Sequence, residues 1–254
     1  MIDLHSHILR GIDDGARTME ESIEIARAAL ADGITVIAGT PHVRDDWPTD
    51  ASVMEYRVAE LRAELQLQGI ALDVRQGGEI AFDWLGKLPV ETLRRFGLGG
   101  NPRYLLVETP YYGWPLGLEG HLFGLRAEGI TPVLAHPERN AEVQADPDRL
   151  VRLVESGVLV QVTAASVDGR IGKRAQDCGL GLIRDGLGHL LASDAHHASV
   201  RAVGMAAAAN AAGGGAFGQW LTWDVPAAII GDTPIPPRPE HGGKGGWLGK
   251  LLRT

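Results

Sequence analysis

Two imidazoles stand within the first seven residues, in Met1-Ile2-Asp3-Leu4-His5-Ser6-His7. Alternate residues of a β-strand project from one face, so His5 and His7 at a strand end aim both rings at a single point. Neutral imidazole is the commonest side-chain ligand for metals. The same spacing returns late in the chain as Asp194-Ala195-His196. Between these pairs stand His42 after Thr40-Pro41, Glu79 after Gly77-Gly78, Glu108 after Leu105-Leu106-Val107, and His136 after Val133-Leu134-Ala135. A carboxylate that interrupts an apolar run is costly to bury without a cation. Singly, each has a plainer reading: Glu79 and Glu108 as surface or cap groups, His42 and His136 as turn residues beside prolines. Asp13 and Asp14, in Gly11-Ile12-Asp13-Asp14-Gly15, read alone as a turn. Joint occurrence at one kind of position is what points to a metal site.

That position is set by the periodicity. Short β-branched runs alternate with helical patterns, the signature of parallel βα units. The expected strands are 2–5, 34–38, 72–76, 104–107, 132–135, 159–162 and 189–192. The first helix is announced by the capping-box pattern Thr18-Met19-Glu20-Glu21, carries Ile23, Ala26 and Leu30 on one face, and ends at Gly33. Further helices are expected over about 51–68, 118–128, 147–156, 172–184 and 200–211. In a parallel barrel the carboxyl ends of the strands share one rim, where active sites are built. Six of the seven expected strand ends carry an imidazole or carboxylate.

Composition limits the alternatives. The chain has 254 residues, 44% apolar and 22% charged, an ordinary soluble composition with room for one large core. One domain over 1–233 is expected, followed by a Pro/Gly-rich, disordered tail over 234–254. A net charge of −8 offers no footprint for a phosphate backbone, so nucleic acid is not an expected partner. Without a signal-peptide pattern or a span of roughly 20 apolar residues, the expectation is a cytoplasmic protein that does not insert into membranes. The single cysteine, Cys178, cannot form an internal disulfide.

Cys178 does raise a rival chemistry, because Cys178 and Arg184 have the Cys-x5-Arg spacing of cysteine-dependent tyrosine phosphatases. That motif works as a phosphate-cradling loop with an activated thiolate. Here Lys173-Arg174-Ala175-Gln176-Asp177 leads into it and reads as helix, which favours a structural cysteine near a helix end.

The ordered set of motifs resembles the polymerase and histidinol phosphatase (PHP) superfamily, and within it the manganese-dependent protein-tyrosine phosphatases of bacterial capsule and exopolysaccharide loci. The matching stretches are Met-Ile-Asp-Leu-His-Ser-His-Ile with Asp-Asp-Gly, Thr-Pro-His42, Gly-Glu79-Ile, Val-Glu108-Thr-Pro, Leu-Ala-His136-Pro-Glu-Arg139 and Ala-Ser-Asp194-Ala-His196. The resemblance implies an α/β fold, a distorted seven-stranded (β/α)7 TIM-like barrel of PHP type. It implies three divalent metal ions, manganese before iron, zinc or magnesium, held by His5, His7, Asp14, His42, Glu79, Glu108, His136, Asp194 and His196. Arg139 and Arg201 match phosphate-binding positions, Arg201 through a looser local match. The implied substrate is a phosphotyrosine protein, a bacterial tyrosine kinase of polysaccharide export.

Nine nitrogen and oxygen ligands without a thiolate exceed the needs of one hard-to-borderline ion, so the site should be polynuclear. Such ions lower the pKa of bound water from about 15.7 towards about 7 and stabilise an in-line displacement at phosphorus. Arginine forks would hold the non-bridging oxygens. His42 or His196 could protonate the leaving group if left free of metal. Two other functions fit the same residues: a histidinol-phosphatase-like hydrolase of small phosphate esters, and a non-catalytic, kinase-binding regulator. Tyr111, Tyr112, Trp114, Trp47 and Trp84 could wall a phenyl phosphate or simply pack the rim.

Overall fold

The computed structural model of the protein describes residues 1–199 and 202–240. Its strands are β1 (Ile2–Ser6), β2 (Val36–Gly39), β3 (His42–Arg44), β4 (Trp47–Pro48), β5 (Asp73–Gln76), β6 (Glu79–Ala81), β7 (Tyr104–Glu108), β8 (Thr131–Ala135), β9 (Leu159–Thr163) and β10 (Leu190–Ala192). They form a three-stranded sheet in the order β1-β2-β5 and a seven-stranded sheet in the order β10-β9-β8-β7-β6-β3-β4. All pairings are parallel except β3 with β4. The result is a mixed α/β fold in which helices cover the strands and the strand interiors are buried on both faces, as parallel sheets require.

Two expected strands differ instructively from those observed. The run over 34–38 does not end before His42; it breaks at Thr40-Pro41 and resumes as β3, so His42 lies inside a strand. The run over 72–76 breaks at Gly77-Gly78 and resumes as β6, which begins with Glu79. The breaks are matched, because β2 pairs with β5 and β3 pairs with β6, with His42 opposite Glu79. Proline lacks the N–H that a continuous ladder would use, while the Pro41 carbonyl still accepts from Glu79 N at 3.0 Å. A side chain at Gly78 would strike the Phe96 ring at 2.5 Å, so the second break must pass beneath that ring.

At the far edge, β10 runs on to meet β1. Asp194 N donates to His5 O and His7 N donates to Ala195 O, both at 2.8 Å, and Ser6 forms an isolated parallel bridge with Ala195. Ser193 Oγ donates to Asp3 Oδ2 at 2.5 Å. Burial raises the Asp3 carboxyl to about 6, opposed by its hydrogen bonds from Ser193 and His5.

The first helix runs over Met19–Ala31, capped by Thr18 accepting from Glu21 N. Glu21 reaches back to Arg17 N at 2.7 Å, one residue before the cap of an ideal capping box. The segment 147–156 is a 3-10 turn followed by a short helix, Val151–Glu155. The expected helix over 200–211 is observed over Met205–Ala211. Beyond it lie two helices with no counterpart in the expected elements, Gly215–Gln219 and Val225–Gly231, joined through a π turn. Pro226 falls where the π turn passes into the last helix. In the expected tail, Pro236 O accepts from Trp220 Nε1 and Arg238 donates to Ile183 O. Residues 241–254 of it lie outside the described part. No helix among the described residues is long and apolar enough to cross a membrane.

Candidate metal centre

Side chains from β1, from the starts of β3 and β6, from the end of β7 and from the loops after β1, β8 and β10 gather in four overlapping groups: His7, Asp14, His42 and His196; His5, Glu79 and His136; His5, His7 and Asp194; and His42, Glu79 and Glu108. Within each group, one potential ligand atom from every residue lies within 4.8 Å of the others. All nine residues singled out as metal positions are therefore brought together. They are delivered by a few local devices. His5 is in β1 and His7 just past it, His42 and Glu79 start β3 and β6, and Glu108 ends β7. His136 and Asp194 leave β8 and β10 in left-handed backbone, with φ of 34° and 52°. Only a few per cent of non-glycine residues adopt such angles, and they turn both side chains inward over the strand ends.

Glu79 is the hub. Its Oε2 lies 3.4 Å from both His5 Nε2 and His7 Nε2 and 2.8 Å from His42 Nδ1, and its Oε1 is 2.8 Å from His136 Nε2. Asp194 Oδ1 lies 3.5 Å from His5 Nε2, 3.3 Å from His7 Nε2 and 3.6 Å from His196 Nδ1. Asp14 Oδ1 lies between His42 Nε2 at 3.4 Å and His196 Nε2 at 3.3 Å. Burial is nearly complete, Asp14 alone being open to solvent.

The electrostatics are those of a cation site. His42 Nδ1 and Glu79 Oε2 are fully buried and face each other at 2.8 Å without an aligned hydrogen bond, and a cation shared between their groups would satisfy both. Burial opposes ionisation of Glu79, yet the imidazoles of His5 and His42, helped by His136, hold its carboxyl well below the usual range. Burial and the neighbouring Glu79 charge push Glu108 the other way, to about 7. Burial lowers His42, but Glu79 and Asp14 outweigh it and bring the imidazole to about 9; His136, dominated by burial, falls to about 4. Nitrogen and oxygen donors without sulfur suit manganese, iron, zinc or magnesium, so the residues present fit divalent ions.

Several functional contacts left no mark in the spacing. Asp13, not distinguished from Asp14 by sequence, turns away from the groups; its Oδ2 lies 2.7 Å from His7 Nδ1 and accepts from His42 N at 3.1 Å. Gln161 Oε1 lies 3.0 Å from His5 Nδ1. Both fix ring orientation from behind, as partners of metal-ligating histidines do. The Asp-Asp-Gly order is explained by Gly15, where a Cβ would fall 2.1 Å from His7 O. Asp13→Asn should weaken metal affinity by about 10–100-fold with the fold retained, read by titration of the stripped protein with manganese. Unchanged affinity would deny Asp13 that orienting role.

Arg139 lies at the mouth: its Nη1 donates to Asp194 Oδ2 at 2.7 Å, and its guanidinium carbon sits 4.6 Å from the Tyr111 ring centroid. Asn140 ties that turn to the Tyr111 loop, donating to Pro110 O at 2.6 Å and Gly113 O at 2.9 Å. Of the aromatics considered for a wall, Tyr111 is placed at the site, 6.2 Å from the His136 ring. Trp84 instead donates to Asp45. Arg201 lies outside the described residues. Cys178 is buried within the helix Lys173–Asp185, where burial and Glu138 raise its thiol to about 12, the opposite of an activated nucleophile.

Fold and site together define a mixed α/β protein whose strand ends carry a histidine and carboxylate cluster suited to divalent ions. The chain belongs to the family described as capsular polysaccharide synthesis, CpsB/CapC, whose model matches residues 1–216. It is 37% identical over 203 residues to the tyrosine-protein phosphatase YwqE of Bacillus subtilis (strain 168), a match covering 79% of each chain. It is 28% identical over 215 residues to the tyrosine-protein phosphatase CpsB of Streptococcus agalactiae serotype III (strain NEM316), covering 79% of this chain and 85% of that one. A chain from the crystal structures of YwqE from Bacillus subtilis and CpsB from Streptococcus pneumoniae, described as unique metal-dependent tyrosine phosphatases, superposes with a TM-score of 0.84. That match has 32% identity and covers 94% of this chain and 99% of the other.

Proposed function

We propose that this protein is a cytoplasmic, metal-dependent protein-tyrosine phosphatase acting on a tyrosine kinase of bacterial polysaccharide synthesis or export. The observation that carries the reading is the convergence of nine buried or half-buried nitrogen and oxygen donors around Glu79 and Asp194, in a chain of the CpsB/CapC family. In this reading His5, His7, Asp14, His42, Glu79, Glu108, His136, Asp194 and His196 hold three divalent ions, manganese foremost. The two sheets act as one distorted seven-unit barrel, with residues 1–233 as the catalytic domain and 234–254 as its tail. When bound, the ions supply Lewis acidity towards the phosphoryl oxygens and activation of water at neutral pH.

The chain's own residues do the rest. Asp13 and Gln161 hold the His7 and His5 rings so that their Nε2 atoms face the cluster. Arg139, kept in place by Asp194 and Tyr111, receives non-bridging phosphoryl oxygens on its outward edge. Arg201 is assigned the same task by its place in the motif. A phenolate leaves with a conjugate acid of pKa about 10, so it needs little acid help, and His42 and His196, taken up as ligands, are not required as proton donors.

The test is turnover of a phosphotyrosine peptide against histidinol phosphate, with metal measured on the same sample. The manganese-loaded protein should hydrolyse the peptide at least about tenfold faster, and His136→Ala should lose nearly all turnover while remaining folded. Faster histidinol phosphate hydrolysis would replace the substrate assignment, and wild-type turnover by His136→Ala would remove the site.

A further inference from the structure

Tyr111 separates two grooves that open beside the centre. One, of about 380 Å³, is lined by Arg44, Asp45, Asp46, Asp83 and Glu108, with Tyr111 at its edge. The other, of about 360 Å³, runs from Arg139 between Tyr111 and Tyr112 on one side and Ile171 on the other, and reaches Arg174. Arg174 also lines a third groove of about 520 Å³ with Gln144, Cys178 and Arg184, so the second and third share a wall.

The charges in these grooves are almost all answered. Arg44 is paired with Asp46 and Glu108, and Lys87 with Asp45 and Asp83. Arg139 is paired with Asp194, Asp177 with Lys173, and Arg184 with Asp185. Among the described residues, Arg174 is the one charged lining residue of the three grooves with no opposite charge and no hydrogen bond to its side chain. It stands exposed in the first turn of the helix Lys173–Asp185, on the groove that leads from the phosphate-binding arginine. Tyr112 and Ile171, also exposed, supply apolar walls along the way.

We propose that the segment flanking the phosphotyrosine lies in this groove and that Arg174 selects substrates with an acidic side chain there. The inference rests on the phosphatase reading and extends it to a sequence preference. The occupant is an extended peptide: its phosphotyrosine enters beside Arg139, its backbone passes between Tyr111 and Ile171, and its carboxylate meets Arg174. An arginine fork matches a carboxylate bidentately, and an exposed pair of this kind changes specificity severalfold rather than by orders of magnitude.

The experiment compares kcat/KM of the manganese-loaded full chain on three sets of phosphotyrosine peptides, with Glu placed successively at positions before the phosphotyrosine, with Glu placed successively after it, or with Ala throughout. The wild type should favour Glu on one side by about fivefold, with the difference in KM and weakening at 0.5 M salt. Arg174→Ala should bring that ratio near one, and Arg174→Glu should invert it so that the Ala peptide is favoured. Equal rates on all three sets by the wild type, or an acidic preference that survives in both variants, would overturn the proposal. Absence of turnover on every peptide would instead strike the phosphatase reading on which it stands.

Discussion

Glu79→Gln should lower phosphotyrosine-peptide turnover by about 1,000-fold or more and cut the metal content of the purified protein. The reason is position. Glu79 lies within 3.4 Å of ring nitrogens of His5, His7, His42 and His136, so it takes part in two of the four groups able to hold an ion. Glutamine keeps the shape but removes the negative charge and places an N–H₂ where an acceptor is needed. The amide would face imidazoles that can no longer share a cation, and removing one member of a buried charge cluster costs about 3–5 kcal/mol. The variant should therefore also unfold at lower temperature. Glu21→Gln, at an exposed ion pair with Arg17, is the control expected to lose almost nothing. Metal content and rate within a few-fold of wild type in Glu79→Gln would mean that the centre is not organised around this carboxylate.

Removing metal with a chelator should abolish turnover, and the stripped protein should lose stability as pH rises. The sign follows from His42 and Glu108. His42, unfolded near 6.5, is raised to about 9 in the folded chain by Glu79 and Asp14 against the opposing effect of burial. Its contribution is present in full below 6.5 and disappears as pH climbs through 9. Glu108, raised to about 7 by burial and Glu79, acts in the same direction between its unfolded value and 7. The stripped protein should lose roughly 2 kcal/mol between pH 6.5 and 9, seen as a Tm lower by about 5 °C. Metal affinity should rise over the same interval, because an ion must displace the His42 proton. The reloaded protein should recover its rate and lose most of the pH slope. A stripped protein that gains stability on raising the pH, or full activity in excess chelator, would contradict the assignment. Alkylation of Cys178 separates the chemistries further: the metal mechanism predicts no loss of rate.

The chemistry was legible in the chain before any fold was known, because metal ligands are few in type and strand periodicity shows where they point. His5 with His7 and Asp194 with His196 share one spacing, and Glu108 and His136 each close an apolar run; all six reach the cluster, though His136 and Asp194 do so through left-handed turns after their strands rather than by strand alternation. The parallel βα order was legible for the same reason, since buried strands and amphipathic helices have different periods. What spacing could not show is how the strands are interrupted. His42 and Glu79 read as loop residues after strands, yet each begins a second strand segment, and their pairing arises only when the breaks at Thr40-Pro41 and Gly77-Gly78 fall side by side.

The amino-acid sequence by itself determined the donor set, its freedom from sulfur and its distribution over successive strand ends, because these depend on residue type and local period. Tertiary structure alone decided which of two adjacent aspartates faces the cluster, that Gln161 steadies His5 from a strand far along the chain, and that Arg174 is left without an opposing charge. Those outcomes depend on distances between segments that no local pattern encodes: Asp13 and Asp14 are chemically identical until Gly15 packs against His7 and turns one inward and the other behind the ring.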